Sequence, residues 1–423
     1  MILALILFAV MYVLLLTPQL SDKRHFVALG AALLFMVLGI LPVSAAISAI
    51  NWNVLMMLAG TMVVVELFIE SKMPARLAEM LLKAVPNVQW AVVVLSLFSG
   101  VVSAFVDNVA TVLMVAPIGL AVAKKLNTNP VPVIISIAVS SNLQGAATLV
   151  GDTTSILLGA YADMSFNDFF WFRGRLGICF AVEAGALLTI PVLLWLFRDE
   201  KAPVHAEVET EVKDYVPSFL MVGVVLTLII ASQFENKPEL TNGYICMAYA
   251  VFGMIYEYFR EKSPDVFKRC AAAVDFDTLF LLTGLFMVIE GITQAGVIDA
   301  AAQLFVKMGG NSLFLMYTMI VFFSVALSAF IDNIPYVATM LPVVQGIAAG
   351  MGVEPYVLYF GLLIGATLGG NLTPVGASAN IAGIGILQKE GYKVETKDFM
   401  RIGFPFTMTA VIAGYLVNWI IWH

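Results

Sequence analysis

Ser103-Ala-Phe-Val-Asp107-Asn-Val109 and Ser328-Ala-Phe-Ile-Asp332-Asn-Ile334 are nearly the same seven residues written twice. Each sets an Asp-Asn pair between two long apolar arms, Val88–Phe105 and Val109–Val122 in the first copy, Leu313–Phe330 and Ile334–Ala349 in the second. Asp107 and Asp332 are 225 residues apart, and the same step carries Pro117 to Pro342, Gly145 to Gly370 and Val150-Gly151 to Val375-Gly376. One offset that serves two motifs roughly forty residues apart marks an internal repeat.

The composition names the solvent. Of 423 residues, 61% are apolar and 12% are charged, against about 25% charged in soluble domains. Nearly uncharged runs recur along the whole length, each about long enough to cross roughly 30 Å of hydrocarbon. The chain therefore reads as a polytopic, all-α membrane protein. Its net charge of −7 sits mainly in loops, and no basic stripe of the kind that neutralises phosphates is present, which excludes nucleic acid as a partner. Cys179, Cys246 and Cys270 are widely scattered, so neither a disulfide framework nor a zinc site is indicated. Met1 to Leu16 has no basic region before its apolar run and reads as a first membrane helix, not a removable signal.

Crossings are expected at Ile2–Leu16, Phe26–Leu41, Val54–Ile69, Val131–Gly159 (broken by polar residues at 144–155) and Phe169–Phe197. The second half repeats them at Val216–Ile230, Gly243–Phe259, Phe276–Ile292, Val357–Leu387 (broken at 369–380) and Phe404–Trp422. Between the halves runs Arg198 to Asp214, nine of whose seventeen residues are charged. If the arms around each Asp-Asn pair form a re-entrant hairpin, each half crosses five times. An odd number inverts the second half relative to the first. The expected organisation is a first inverted repeat at 1–197, a linker at 198–214 and a second inverted repeat at 215–423. With the N-terminus outside, eighteen of the 22 Lys and Arg fall on one face and only Arg173, Arg175, Lys237 and Lys307 on the other. Positive-inside insertion then makes the linker cytoplasmic and both termini external, in a plasma or inner membrane.

A carboxylate at bilayer depth costs roughly 2.5–3.5 kcal/mol on insertion scales, so intramembrane acids are functional by default. Asp107 and Asp332 also suit a simpler role, as caps of the second arm; the two roles are compatible. The broken helices read Ser140-Ser-Asn-Leu-Gln-Gly-Ala-Ala-Thr-Leu-Val-Gly-Asp-Thr-Thr-Ser155 and Gly369-Gly-Asn-Leu-Thr-Pro-Val-Gly-Ala-Ser-Ala-Asn380. Unwound helices of this type hold substrate and coupling ion near the midplane. Candidate ligands for Na⁺ or a proton are Asp107, Asn108, Thr148, Asp152, Asn333 and Thr373. Candidate substrate ligands are Asn108, Thr111, Thr153, Thr154, Ser155, Asp332, Asn333, Asn371, Thr373, Ser378 and Asn380. The repeat places Asp152 opposite Ala377 and Ser155 opposite Asn380. Matching frames with different chemistry suggest that the first half carries the cation or proton and the second offers neutral donors to substrate. Glu183, Glu66 and Glu290 are weaker candidates, and His25, His205 and His423 read as solvated.

These motifs resemble the ion transporter superfamily, which includes the arsenite permease ArsB, the Na⁺/H⁺ antiporter NhaD, the P protein and the citrate and dicarboxylate carriers. Gly369 to Asn380 is similar to P protein and ArsB, Asp107 to Thr111 to NhaD and P protein, and Gly151-Asp-Thr-Thr154 to NhaD. The likeness runs over essentially the whole chain. It implies a transport portion moving against a scaffold, often within a homodimer, and the expected partners are a small ionic substrate and membrane lipid, with no cofactor beyond Na⁺ or H⁺ as coupling ion. The dicarboxylate carriers have Ser-Asn-Thr at each tip, whereas here Asp precedes Asn108 and Asn333, and Val109 or Ile334 follows.

The expected function is therefore secondary transport by alternating access. Na⁺ or H⁺ would be coupled to cation/proton antiport or to export of a small inorganic anion such as arsenite. A citrate or dicarboxylate carrier is the alternative, and an ion channel the second. No HExxH helix or Gly-x-Ser-x-Gly turn suggests an enzyme.

Overall fold

The structure is a computed structural model that describes residues 1–126, 128–204, 210–234, 236–310 and 312–423. The first half contains α1 (Ile2–Leu15), α2 (Arg24–Val37), α3 (Val43–Ala49), α4 (Trp52–Glu70) and α5 (Met73–Lys83). It continues with α6 (Val88–Ser103), α7 (Asn108–Lys125), α8 (Pro130–Gln144), α9 (Thr153–Tyr161) and α10 (Ile178–Leu196). The second half runs through α11 (Val216–Ala231), α12 (Thr241–Glu261), α13 (Asp265–Ala273), α14 (Phe276–Gln294) and α15 (Val297–Gly309). It closes with α16 (Leu313–Ser328), α17 (Asn333–Met351), α18 (Tyr356–Gly369), α19 (Ser378–Lys389) and α20 (Thr396–Trp422). Each helix of the first half has a counterpart at the same place in the second, down to a short 3₁₀ turn after α8 and after α18.

The packing between halves is reciprocal. α4 packs on α12 while α2 packs on α14; α7 packs on α19 while α17 packs on α9; and α10 packs on α20. Contacts of the form i to j′ and j to i′ are the pattern an isologous pair makes.

The helix ends sort into two groups. At one end Lys124 is ion-paired with Glu390, and Arg269 Nε lies 2.9 Å from Glu70 Oε1. At the other end Tyr161 bonds to Gln345, Arg173 lies 3.1 Å from Glu354 and Trp422 donates to the Leu176 carbonyl. The arms of the first hairpin, α6 and α7, run inward from the Lys124 end, and those of the second, α16 and α17, from the Tyr161 end. The second tip comes close to the first half's break, where the Asn333 amide reaches Asp152 at 3.5 Å. Residues of both tips, Asp107 and Asn108 from one and Asn333 and Ile334 from the other, line one cavity, so the hairpins approach each other from opposite ends.

Several boundaries differ from the expected crossings. The fifth crossing begins at Ile178, not Phe169, because a hairpin of β1 (Trp171–Phe172) and β2 (Arg175–Leu176) precedes it. Arg173 and Gly174 between these strands have φ of 49° and 78°, the paired left-handed conformation of a tight turn whose twist suits the strands. The last helix starts at Thr396, eight residues before Phe404, where Glu395 and Asp398 form a capping box that satisfies orphan donors reciprocally. Charged stretches around Arg76, Arg269 and Lys307, expected as loops, are the short helices α5, α13 and α15. In α5, Pro74, Ala78 and Leu82 are buried at four-residue spacing, so one apolar stripe pays for order that an average over the segment conceals. His25 is buried and faces Asp277 at 3.3 Å, not solvated, because α2 begins at Arg24, two residues before the expected crossing, and takes His25 into the helix. His423 is exposed and stacks on Trp419. His205 and the linker's centre lie outside the described residues; on either side, Lys201 bonds to Gln89 and Thr210 to Glu79.

Candidate functional site

The site is built from two tips and two breaks. At the first tip Asp107 caps α7, its Oδ2 accepting from the Val109 and Ala110 amides at 2.9 and 3.1 Å. At the second, Asp332 Oδ1 accepts from the Ile334 amide at 3.1 Å. Capping is thus real at both tips. Asp332 differs in what holds its other oxygen: Arg24 Nη1 lies 3.1 Å away and Ser378 Oγ 3.4 Å.

Each break is tied to its own hairpin by the same bonds, 225 residues apart. Thr148 donates to the Ala104 carbonyl and Thr373 to that of Ala329. Ser155 Oγ donates to the Gly145 carbonyl at 3.3 Å, and Asn380 Nδ2 to the Gly370 carbonyl at 3.1 Å. A Cβ on Gly151 would meet the Gly145 and Ala104 carbonyl oxygens at 2.6 and 2.8 Å, and one on Gly376 would meet those of Gly370 and Ala329 at the same distances. Hairpin and break are therefore one rigid piece in each half.

Between the pieces lies an amide network. Asn108 Nδ2 donates to Asn142 Oδ1 at 2.9 Å. Asn142 Nδ2 donates to the Thr367 carbonyl at 2.7 Å and to Asn371 Oδ1 at 3.1 Å, and Asn371 Nδ2 to the Val139 carbonyl at 2.9 Å. Ser141 Oγ closes onto the Asn108 carbonyl at 3.0 Å. Asn142 was not among the expected ligands; its signal is an amide in the last helical turn before the break, at a position fully buried in the structure. Asp152 is 4% exposed and accepts from Thr154 Oγ1 at 2.9 Å and, at the long limit of 3.5 Å, from Asn333 Nδ2. Thr154 also shares a hydrogen bond with Thr367 at 3.1 Å.

A cavity of about 380 Å³ opens beside this network, within the range of small-molecule sites. Of the expected ligands, Asp107, Asn108, Asp152, Thr153, Asn333 and Ser378 line it. Thr111, Thr148, Thr154, Ser155, Asp332, Asn371, Thr373 and Asn380 do not; they brace the tips and breaks. Glu66 and Asp275 add two more carboxylates, and among the described residues no Lys, Arg or His lines the space. Since Glu66 and Ile69 belong to the last turns of α4 and Asp275 precedes α14, the cavity extends from Asp152 toward the Lys124 end. Glu183 lies outside it, accepting from Gln144 Nε2 at 2.8 Å, and Glu290 accepts from Gln294 at the surface. The polar walls are carboxylate, amide and hydroxyl oxygens, hard donors suited to alkali or alkaline-earth cations and protons.

Comparison with known proteins places this geometry. An uncharacterized transporter of Mycobacterium tuberculosis is 30% identical over 99% of this chain and 98% of its own length. The P protein of Mus musculus is 24% identical over 86% of this chain and 53% of its own. Among solved structures, the YdaH transporter of Alcanivorax borkumensis aligns with a TM-score of 0.61 at 13% identity, covering 92% of this chain and 87% of that one. MtrF of Neisseria gonorrhoeae, described with a class of antimetabolite efflux pumps, aligns with a TM-score of 0.58 at 14% identity, covering 94% and 85%. At these identities the two structures speak for the fold alone. The citrate transporter family CitMHS matches residues 3–365, and the chain belongs to that family of membrane transporters.

Proposed function

We propose that this transporter is a secondary carrier coupled to Na⁺ or H⁺, with the coupling cation held between Asp107 and Asp152. The observation that carries the reading is the pairing of these two carboxylates in one cavity that no described basic side chain enters. Two like charges in a shared, poorly hydrated space favour a bound cation or a proton. Asn108, Thr153, Asn333 and Ser378 supply the neutral part of the lining.

The reciprocal packing of the halves supports alternating access. If a two-fold axis relating them lies in the membrane plane, residues 1–197 and 215–423 are inverted repeats, and exchanging their conformations opens the site to the other side. The Lys124 end collects the larger share of Lys and Arg, so positive-inside insertion supports placing it and the linker in the cytoplasm, both termini outside and the cavity open inward. The resemblance supports a homodimer with a moving transport portion.

For the cargo, a four-carboxylate cavity favours cation/proton antiport, or export of a small inorganic anion that carries little charge. Citrate, the substrate in the family's description, is the second reading. A free trianion would be repelled by Asp107, Asp152, Glu66 and Asp275, so citrate fits this cavity when cations accompany it. The test is transport in proteoliposomes under imposed Na⁺ and pH gradients, with arsenite, citrate alone and citrate with Mg²⁺. Asp152→Asn is expected to change the dependence on Na⁺ or pH, and Ser378→Ala mainly the half-saturating substrate concentration. Unchanged ion dependence in both Asp107→Asn and Asp152→Asn would sink the reading.

A further inference from the structure

We propose that Arg24 is a tethered cation occupying the second half's ion position, so that only the first half's position exchanges ions with solution. This rests on the reading of Asp107 and Asp152 as the exchangeable site.

The repeat makes the comparison direct. Asp107 and Asp332 are equivalent residues, each capping the inner end of a hairpin arm with one carboxylate oxygen that accepts from backbone amides. Thr153 and Ser378 are likewise equivalent, 225 residues apart, and each lines the cavity beside its tip. What differs is the partner. Arg24 Nη1 lies 3.1 Å from Asp332 Oδ2, with side chains only 29% and 15% exposed. Ser378 Oγ, 3.4 Å from the same oxygen, completes a small oxygen site in which the guanidinium stands where a metal ion or proton would.

Asp107 makes no ion pair among the described residues, and Asp275 lines the same cavity. α2 begins at Arg24, whereas its counterpart α12 begins Thr241-Asn242-Gly243, with no cation to offer the first tip. Arg24 Nε is buried without a hydrogen-bond partner, and among the described residues Asp332 is the carboxylate that pairs with this guanidinium. An arginine stays charged at any physiological pH, and it is covalently held on a helix packed against α14. It therefore neutralises Asp332 through the cycle without being released to either side.

The experiment measures initial transport rates in proteoliposomes against Na⁺ at fixed pH and against pH without Na⁺. Melting temperatures of the purified protein with NaCl or choline chloride supply a binding readout that does not depend on turnover. Arg24→Met leaves Asp332 uncompensated. It is expected to add one ion to the dependence, so that below saturation a tenfold fall in the coupling ion lowers the rate about tenfold further than in the unaltered protein. The double variant Arg24→Met/Asp332→Asn, neutral at this position, is expected to return to the original slope. A folded Arg24→Met with an unchanged slope overturns the proposal. If Arg24→Met does not fold, Arg24→Lys and the double variant carry the test: both preserve neutrality, equal slopes support the tethered cation, and a steeper slope in either overturns it. Failure of the Asp107–Asp152 reading shows separately, as no change of ion dependence in Asp152→Asn.

Discussion

Gly151 and Gly376 hold each break against its hairpin, and the atoms they meet are backbone carbonyls that cannot swing aside. Gly151→Ala and Gly376→Ala are each expected to lower stability by about 1–3 kcal/mol through overpacking, read as a fall in melting temperature of purified protein. Gly385→Ala in α19, with nothing within 4 Å, is the control and should be neutral or slightly stabilising, since Ala is the better helix residue. Equal losses at all three positions would remove the steric explanation. At this scale the sequence was readable wherever chemistry contrasts with its surroundings: an Asp-Asn pair between apolar arms is visible without a structure. Arg24 and Asn142 were not, because the partner that gives each its meaning lies far along the chain. Arg24 sits before an apolar run like any flanking charge, and only folding brings Asp332 to it, 308 residues away.

Among elements, the hairpins and breaks were legible from Gly, Pro and the repeated offset. Charge counting could not by itself separate a hairpin from two full crossings, since either returns the chain to the face it left. The short helices α5, α13 and α15 escaped because their apolar stripes are narrow and charges lie on the other face. The same packing makes a prediction about motion. α7 and α19 pack together and end in the Lys124–Glu390 pair, so they should travel as one unit, whereas α4 faces α7 across the cavity. In Lys124→Cys/Glu390→Cys, a flexible bismaleimide link is expected to leave transport near its unlinked rate. In Thr61→Cys/Leu113→Cys, two positions on opposite walls, the link should stop it. Arrest by the first link would mean that α7 and α19 move apart.

For the whole molecule, orientation remains tied to where the positive charges lie. Cysteines placed at Lys124 and Lys201 are expected to react with an impermeant maleimide only from the cytoplasm, and one at Lys307 only from outside. Labelling of Lys124 and Lys201 from opposite sides would require another crossing between them and would undo the proposed inversion of the halves.

The amide network that clasps the two breaks also bears on how such a chain is made. Asn142 finds Asn371 only 229 residues later. At about 5–20 residues per second of synthesis, the first half waits in the bilayer for roughly ten to fifty seconds before that partner has been translated. During this interval α8 and α9 are without α18, α17 and the other second-half helices that bury them. The nascent first half is thus an insertion intermediate with unmet polar groups at membrane depth, dependent on the insertion machinery or surrounding lipid until the ribosome delivers its complement.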